Sequence, residues 1–104
     1  MIKTIRMMGR DYPIVGEPNL LSDKEASGIL YRRQCRIALD PADAAVSQGE
    51  TLLHEIIESI KGDLQISMEH PDLLRLSEGI FAVLRDNAEV ARHIMAGRRI
   101  VPKP

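Results

Sequence analysis

The spacing of apolar residues changes near residue 40, and this change limits the folds open to the chain. Before that point, short apolar runs and two-residue alternation indicate extended strands. After it, apolar residues recur at every third or fourth position, which indicates helices. Strands followed by helices are typical of an α+β fold. We therefore expect a small antiparallel β-sheet in the N-terminal half, packed on two to three α-helices.

The strand prediction rests on three stretches of the N-terminal half. Residues 3–8 and 12–15 flank Gly9-Arg10-Asp11, whose composition is typical of a hairpin turn. Residues 28–40 alternate clearly and predict one half-buried strand, with Arg33 as the exception on its apolar face. The apolar face of that strand is formed by Ile29, Tyr31, Cys35, Ile37 and Leu39, and the polar face by Arg32, Gln34 and Arg36.

The first helix is predicted over residues 48–61. It follows the sequence SQGE at residues 47–50, a capping-box pattern in which the side chains of Ser47 and Glu50 bind free backbone amides. Gly62 suits the left-handed position after the last turn. The predicted buried stripe is Leu52, Leu53, Ile56, Ile57 and Ile60, and the predicted solvated face is Thr51, His54, Glu55, Glu58 and Lys61.

Two further helices are predicted over residues 71–96. Pro71 is tolerated in a first turn, and Asn87 ends the second helix and caps a short third one that stops at Gly97. The predicted buried stripe of the second helix is Leu73, Leu76, Ile80, Val83 and Leu84. Residues 1–97 are thus expected to form a single domain, and residues 98–104 a flexible tail.

Composition excludes several classes of protein. A chain of 104 residues is one small domain, and a net charge of -1 gives no general attraction to nucleic acid or membranes. No stretch is long and apolar enough to span a bilayer, and no signal peptide is recognisable. The lone Cys35 excludes an internal disulfide framework. We expect a cytoplasmic protein with no membrane partner.

The spacing of His54, Glu55 and Glu58 indicates metal chemistry. On a helix, residues four apart share a face, so His54 and Glu58 can bind one ion. Glu55 stands where an H-E-x-x-H zinc peptidase carries its general base. Zinc sites in hydrolases use three protein ligands and leave a fourth position for water. His70, at the start of the second helix, is the expected third ligand, which gives a zinc site of two histidines and one glutamate.

Other residues offer alternatives to this ligand set. Glu69 and Glu78 compete with His70 for the third position. Glu69 is more simply a surface carboxylate, and Glu78 is explained equally well as an exposed helix glutamate or as a residue that supports the ligands. His93 suits a helix C-terminus better than a metal. Cys35 is most simply a small buried hydrophobe. Three methionines are expected to fill the core: Met7, Met8 and Met68. Four arginines are expected either to be solvated or to form a basic patch: Arg32, Arg36, Arg98 and Arg99.

Residues 50–60, ETLLHEIIESI, resemble the active helix of minimal zincin-like proteins of phages and bacteria, distant relatives of the ImmA/IrrE metallopeptidases. One branch of that group carries H-E-I-I-E, then a turn ending in Glu-His, and then a helix similar to residues 76–87, LSEGIFAVLRDN. Residues 28–37 resemble the strand before the active helix. The resemblance is specific over residues 50–58 and 69–87, and it implies a minimal zincin-like fold. It also implies His54, Glu58 and His70 as ligands, with Glu55 as base.

Three functions follow for testing. The first is a zinc-dependent peptidase in which metal-activated water attacks a peptide that pairs with an open edge of residues 28–39. The second is a non-catalytic phage or bacterial protein that holds a structural metal, or none, and acts by binding another protein. The third is a regulator that binds nucleic acid through its arginines, which the even charge balance disfavours.

Overall fold

The computed structural model describes residues 2–97 and 99–104. It contains, in chain order, strands β1 (Thr4–Met7) and β2 (Arg10–Gly16), helix α1 (Leu20–Lys24), strands β3 (Gly28–Tyr31) and β4 (Arg36–Leu39), and helices α2 (Ala45–Asp63), α3 (His70–Asp86) and α4 (Ala88–Ala96). The α+β class expected from the change in periodicity is confirmed. Within the described residues, no helix is both long and apolar enough to cross a membrane.

The strands form one sheet in the order β1-β2-β4-β3. The β1–β2 and β3–β4 pairs are antiparallel, as expected, whereas β2 and β4 run parallel. The sheet is therefore mixed. The parallel pair arises because α1 carries the chain across the end of the sheet and β3 returns along its far edge, so β4 runs in the same direction as β2. This order leaves β1 and β3 as the edge strands.

The single strand predicted over residues 28–40 is wrong, because the chain reverses within it. Tyr31 pairs with Arg36, and the turn between them is closed by the Cys35 amide, which donates to the Arg32 carbonyl at 3.2 Å. Cys35 has a left-handed backbone, with φ of 49°. The reversal also exchanges the faces, because cross-strand partners lie on the same side of a sheet. Leu30 therefore lies with Ile37 on the core side, whereas Ile29 and Tyr31 lie on the other side, so the predicted apolar face is also wrong.

Helix α2 begins earlier and ends later than its local sequence signals predict. It starts at Ala45 with no side-chain cap, so Ser47 lies inside the helix and the predicted capping box is wrong. It continues to Asp63, past Gly62, and the left-handed residue after the helix is Gln65, with φ of 54°. The predicted role of Gly62 is therefore also wrong. The packing of α2 in the fold sets these ends.

The core lies where α2 covers the sheet. Its fully buried centre is Met7, Tyr12 and Ile37, and Leu52 and Ile56 of α2 pack against it. The buried residues of α2 are nevertheless Glu55 and Ser59, so the face predicted to be solvated is partly covered. The cause is the position of α2 between the sheet and α3. Its environment is apolar on more than one side.

Helices α3 and α4 leave much of their apolar surface exposed. Leu73 and Ser77 are the buried residues of α3, but Leu76 and Val83 are exposed, which corrects the predicted stripe. Helix α4 ends at Gly97, with φ of 63°, as predicted. Residues 99–104 form no helix or strand, and Arg98, the first residue of the predicted tail, lies outside the described residues.

Candidate metal centre

The turn between α2 and α3 brings the start of α3 beside the middle of α2. The Ile66 amide donates to the Lys61 carbonyl at 2.9 Å, and left-handed Gln65 reverses the chain. Helix α3 then begins at His70, with Pro71 in its first turn, where proline lacks only a hydrogen bond that the helix does not need. Local backbone chemistry therefore helps to decide where the His70 imidazole lies.

Three predicted ligands converge on one point. Nδ1 of His70 lies 3.4 Å from Oε1 of Glu58, and Nε2 of His54 lies 3.9 Å from the same oxygen. One ligand atom from each of the three residues lies within 4.8 Å of the others, and this is the one such group found among the described residues. The two imidazole rings meet edge to face, with centroids 5.6 Å apart.

These distances suit a cation placed between the three side chains. Tetrahedral ligands about 2.1 Å from a zinc ion lie roughly 3.4 Å from one another. The His70–Glu58 distance equals that spacing, and the His54–Glu58 distance exceeds it by half an ångström. Within the described part of the chain, none of the three side chains forms a hydrogen bond with the others.

The His54 imidazole is held in its neutral form. Burial is the main cause that lowers the pKa of His54, and the positive charge of a protonated His70 lowers it further, while the carboxylate of Glu58 opposes both effects. Its Nδ1 is buried and has no hydrogen-bond partner among the described residues. An unpaired buried polar atom costs about 1–3 kcal/mol. Packing alone gives no reason for a histidine here, whereas metal binding requires a neutral one.

Glu55 lies beside this group but outside it. Its side chain turns toward β3, and the residue is only 8% exposed. Burial, helped by the negative charge of Glu58, raises the pKa of Glu55 to about 7, and the backbone of Leu30 partly opposes the shift. A carboxyl group with this pKa can both accept and release a proton near neutral pH.

The competing residues do not reach the three ligands. Glu69 is the residue that precedes α3, and Glu78 is exposed on that helix; neither joins the group. His93 lies on α4, where its Nδ1 is 2.9 Å from the Glu89 carbonyl. Met8 is exposed in the β1–β2 turn, so the expectation that it fills the core is wrong, whereas Met7 is buried there.

Arg32 has a position that sequence reasoning missed. From the β3–β4 turn its guanidinium donates to the Ser59 carbonyl and to the Asp63 carboxylate, each at 3.3 Å. It lies so close over Gly62 that any side chain there would overlap it. The sequence contained one signal of this contact, the glycine at position 62 inside a helix. Arg32 ties the edge strand to the end of the helix that carries Glu58, rather than joining a basic patch.

The edge strand beside the three ligands has free backbone groups. The Asp40 amide donates to the Ser27 carbonyl at 3.0 Å, so by alternation Ile29 and Tyr31 also face β4. The backbone groups of Gly28 and Leu30 then point to the open edge. Helix α2 approaches this strand closely, since a side chain at Gly28 would overlap Thr51. Of the predicted edge, only β3 is open, because β4 is paired on both sides.

No protein-family model, no curated protein and no solved structure matches this chain. The resemblance to zincin-like proteins therefore stays a prediction that rests on the residues of α2 and α3.

Proposed function

We propose that this chain is a zinc-dependent metallopeptidase of the minimal zincin-like type, acting in the cytoplasm of a bacterium or a phage-infected cell. The proposal depends on one observation. Two imidazole nitrogens and one carboxylate oxygen, from residues on two helices, lie within 4.8 Å of one another without hydrogen bonds between them. A solvated helix face has no need of this arrangement.

The donor set suits zinc, and its exposure suits catalysis. Nitrogen and carboxylate ligands are those of catalytic zinc sites, which keep three protein ligands, whereas structural sites are closed by four. His70 has a side chain that is 67% exposed, so the group opens to solvent on that side. A zinc ion held here would lower the pKa of a bound water to about 7 and polarise a peptide carbonyl. This openness favours the peptidase over a protein with a structural metal.

Glu55 is the proposed general base. Its carboxyl group lies beside the proposed ligands and would accept the proton of the attacking water and deliver it to the amine of the departing peptide. Burial between α2 and β3 also fixes the direction of the carboxylate, because few rotamers fit there.

The proposed substrate is an extended peptide that pairs with β3. The backbone groups of Gly28 and the Leu30 carbonyl offer hydrogen bonds to one added strand, while the Leu30 amide is engaged by Glu55. A strand in that place passes beside Glu55, since Leu30 contributes to the pKa of that residue. Unfolded or flexible segments of proteins meet this requirement, and folded ones do not. A nucleic-acid partner is disfavoured, because Arg32 is engaged with Ser59 and Asp63.

The proposal is tested by zinc content and peptide hydrolysis. Protein purified without added zinc should contain about one ion per chain, and His54→Ala should lose it. Glu55→Gln should keep the ion and lose hydrolysis of an unstructured casein substrate by about 100-fold or more. His93→Ala, which changes a histidine outside the group, is the control and should keep both. Full zinc occupancy in His54→Ala would contradict the ligand set, and unchanged hydrolysis in Glu55→Gln would contradict the base.

A further inference from the structure

Helix α3 carries an apolar stripe that the fold leaves uncovered. Leu76 is 45% exposed and Val83 is 56% exposed, and both lie beside the face of α3 that buries Leu73 and Ser77. A groove of about 450 Å³ runs past these two residues, lined with Gly79 and Ile80 between them. All the residues that line this groove belong to α3. The described part of the chain provides nothing that fills it.

Gly79 forms a notch in the middle of the stripe. A side chain built at Gly79 would meet no atom within 4 Å. Glycine inside a helix costs roughly 1 kcal/mol relative to alanine, and the packing of this chain gives no compensation for that cost. A notch flanked by Leu76 and Val83 does accept an apolar side chain from another helix, in the way that knobs enter holes between packed helices.

The spacing of the stripe is that of a helix-pairing seam. On α3, apolar residues recur at intervals of three and four, and Leu76 and Val83 are the exposed ones of that spacing. Asn87 is not part of the spacing, because its non-helical backbone (φ -135°, ψ 56°) separates α3 from α4 and its side-chain amide donates to the Val83 carbonyl at 3.0 Å. On α4, Val90 and Ile94 are exposed apolar residues four positions apart.

We propose that a second copy of this chain covers the stripe, in a two-fold symmetric dimer formed by α3 and α4. The exposed parts of five side chains, Leu76, Val83, Val90, Ile94 and Met95, amount to roughly 500 Å² of apolar surface per copy. A standard interface takes about 800 Å² from each partner, and in homodimers about 65% of that area is apolar. The exposed apolar surface of α3 and α4 is therefore about as large as the apolar part of such an interface.

Charge and shape favour a second copy over a different partner. A face that meets its own copy must not repel itself, and here the flanking Asp72 and Arg75 neutralise each other at 3.1 Å. The radius of gyration is 15.3 Å, against about 13 Å for a compact chain of this length. Helix α4 buries none of its described residues. Pairing with a second copy gives this helix a partner.

The test is the mass of the native chain in solution, measured by analytical ultracentrifugation between about 1 and 100 μM. The protein is kept in a chelator, so that metal bridging cannot join copies. The native chain should have the mass of two copies at the upper concentrations. Leu76→Glu should raise the dissociation constant by at least about 100-fold, because symmetry places the charge twice in one interface.

Leu74→Glu is the matched control. Leu74 is 43% exposed on the same helix, about the same as Leu76, but lies off the stripe. This variant should remain dimeric. Val83→Lys is the second interface variant, and circular dichroism checks that each variant is folded. A native chain that is monomeric over the whole range, or equal weakening by Leu74→Glu and Leu76→Glu, would overturn the proposal. A monomeric native chain would assign the stripe to a partner of another kind.

Discussion

At the scale of single residues, the unusual feature is a carboxyl group buried in a helix face that looked solvated. Glu55 is covered by β3 and lies within the electrostatic influence of Glu58. Desolvation makes its ionised form costly, and a nearby like charge adds to that cost. A protein under selection for stability alone has little use for such a group. Its presence beside three unbonded ligand atoms is explained if the proton it carries takes part in the chemistry.

The pH dependence of stability should reveal Glu55 in the metal-free protein. Its pKa in the folded chain, about 7, is above the ordinary value of 4.5, so folding favours the protonated form. The contribution to stability is fully present below about pH 4.5 and is lost as pH rises through 7. The loss should reach up to about 3 kcal/mol in urea unfolding with a chelator present. Glu55→Gln should remove this dependence.

The control for that experiment is Glu78→Gln, which changes an exposed glutamate on α3. Its unfolding free energy should follow the native pH profile. If Glu55→Gln and the native chain lose stability in parallel between pH 4.5 and 8, the burial of Glu55 would not be the cause.

The choice of third ligand is also decided at this scale. His70→Ala should weaken zinc binding by about 100-fold or more, because it removes one of the three proposed protein ligands. Glu78→Ala should change zinc affinity less than about 2-fold, since Glu78 stands outside the group. Isothermal titration with zinc measures both. The reverse order of the two effects would show that Glu78 binds the ion.

At the scale of elements, the site depends on how α2 is fixed to the edge strand. Arg32 provides this link, from a hairpin turn to the last turns of the helix. The guanidinium lies over Gly62, and the absence of a side chain there makes room for it. The same link keeps β3 at a constant distance from α2. A peptide bound along β3 would otherwise have no fixed position relative to Glu55.

A double-mutant cycle tests the link between Arg32 and Gly62. Arg32→Ala should cost about 1 kcal/mol, a modest value because the ion pair is partly exposed. Gly62→Ala should stabilise the Arg32→Ala chain by about 0.5–1 kcal/mol, as expected for alanine in a helix. In the native chain the same change should give no gain, because the new methyl group displaces the guanidinium. Chemical denaturation measures the four free energies, and additive effects would contradict the contact.

At the scale of the whole molecule, the proposed metal joins two parts of a loosely closed fold. The buried core lies between the sheet and α2, and α3 is fixed to α2 mainly along one face. His54 and Glu58 belong to α2, and His70 belongs to α3. An ion between them therefore closes the start of α3 onto α2. Because the core of a small domain is small, such an added link contributes a larger share of its stability.

Zinc should consequently raise the melting temperature of the native chain. With free zinc at 100 times the dissociation constant, the gain is about 2.7 kcal/mol, which corresponds to roughly 10 °C or more for a chain of this size. His54→Ala should show no rise, and His93→Ala should show the full one. Differential scanning calorimetry, with and without zinc, checks the three proteins. A rise that persists in His54→Ala would show that zinc binds elsewhere.

The fold class could be predicted from periodicity, because two-residue and three-to-four-residue spacings are local properties of strands and helices. The same holds for Pro71 at the start of α3 and Gly97 at the end of α4, whose backbone preferences need no partner. The hairpin at residues 32–35 could not be predicted in this way, since the apolar alternation in the sequence runs unbroken through the turn although the two faces exchange there. Nor could the ends of α2, which its packing sets.

In the candidate site, residue spacing alone predicts that His54 and Glu58 share a helix face and that Glu55 is their neighbour. Helical geometry fixes those relations without any other part of the chain. The turn at Gln65 reverses the chain locally, but the approach of His70 to Glu58 at 3.4 Å also depends on how α3 packs against α2. Only the tertiary structure decided that approach, and it also decided that Glu55 is buried, because the covering strand is distant in sequence. Local patterns specify elements, and long-range packing specifies what surrounds them.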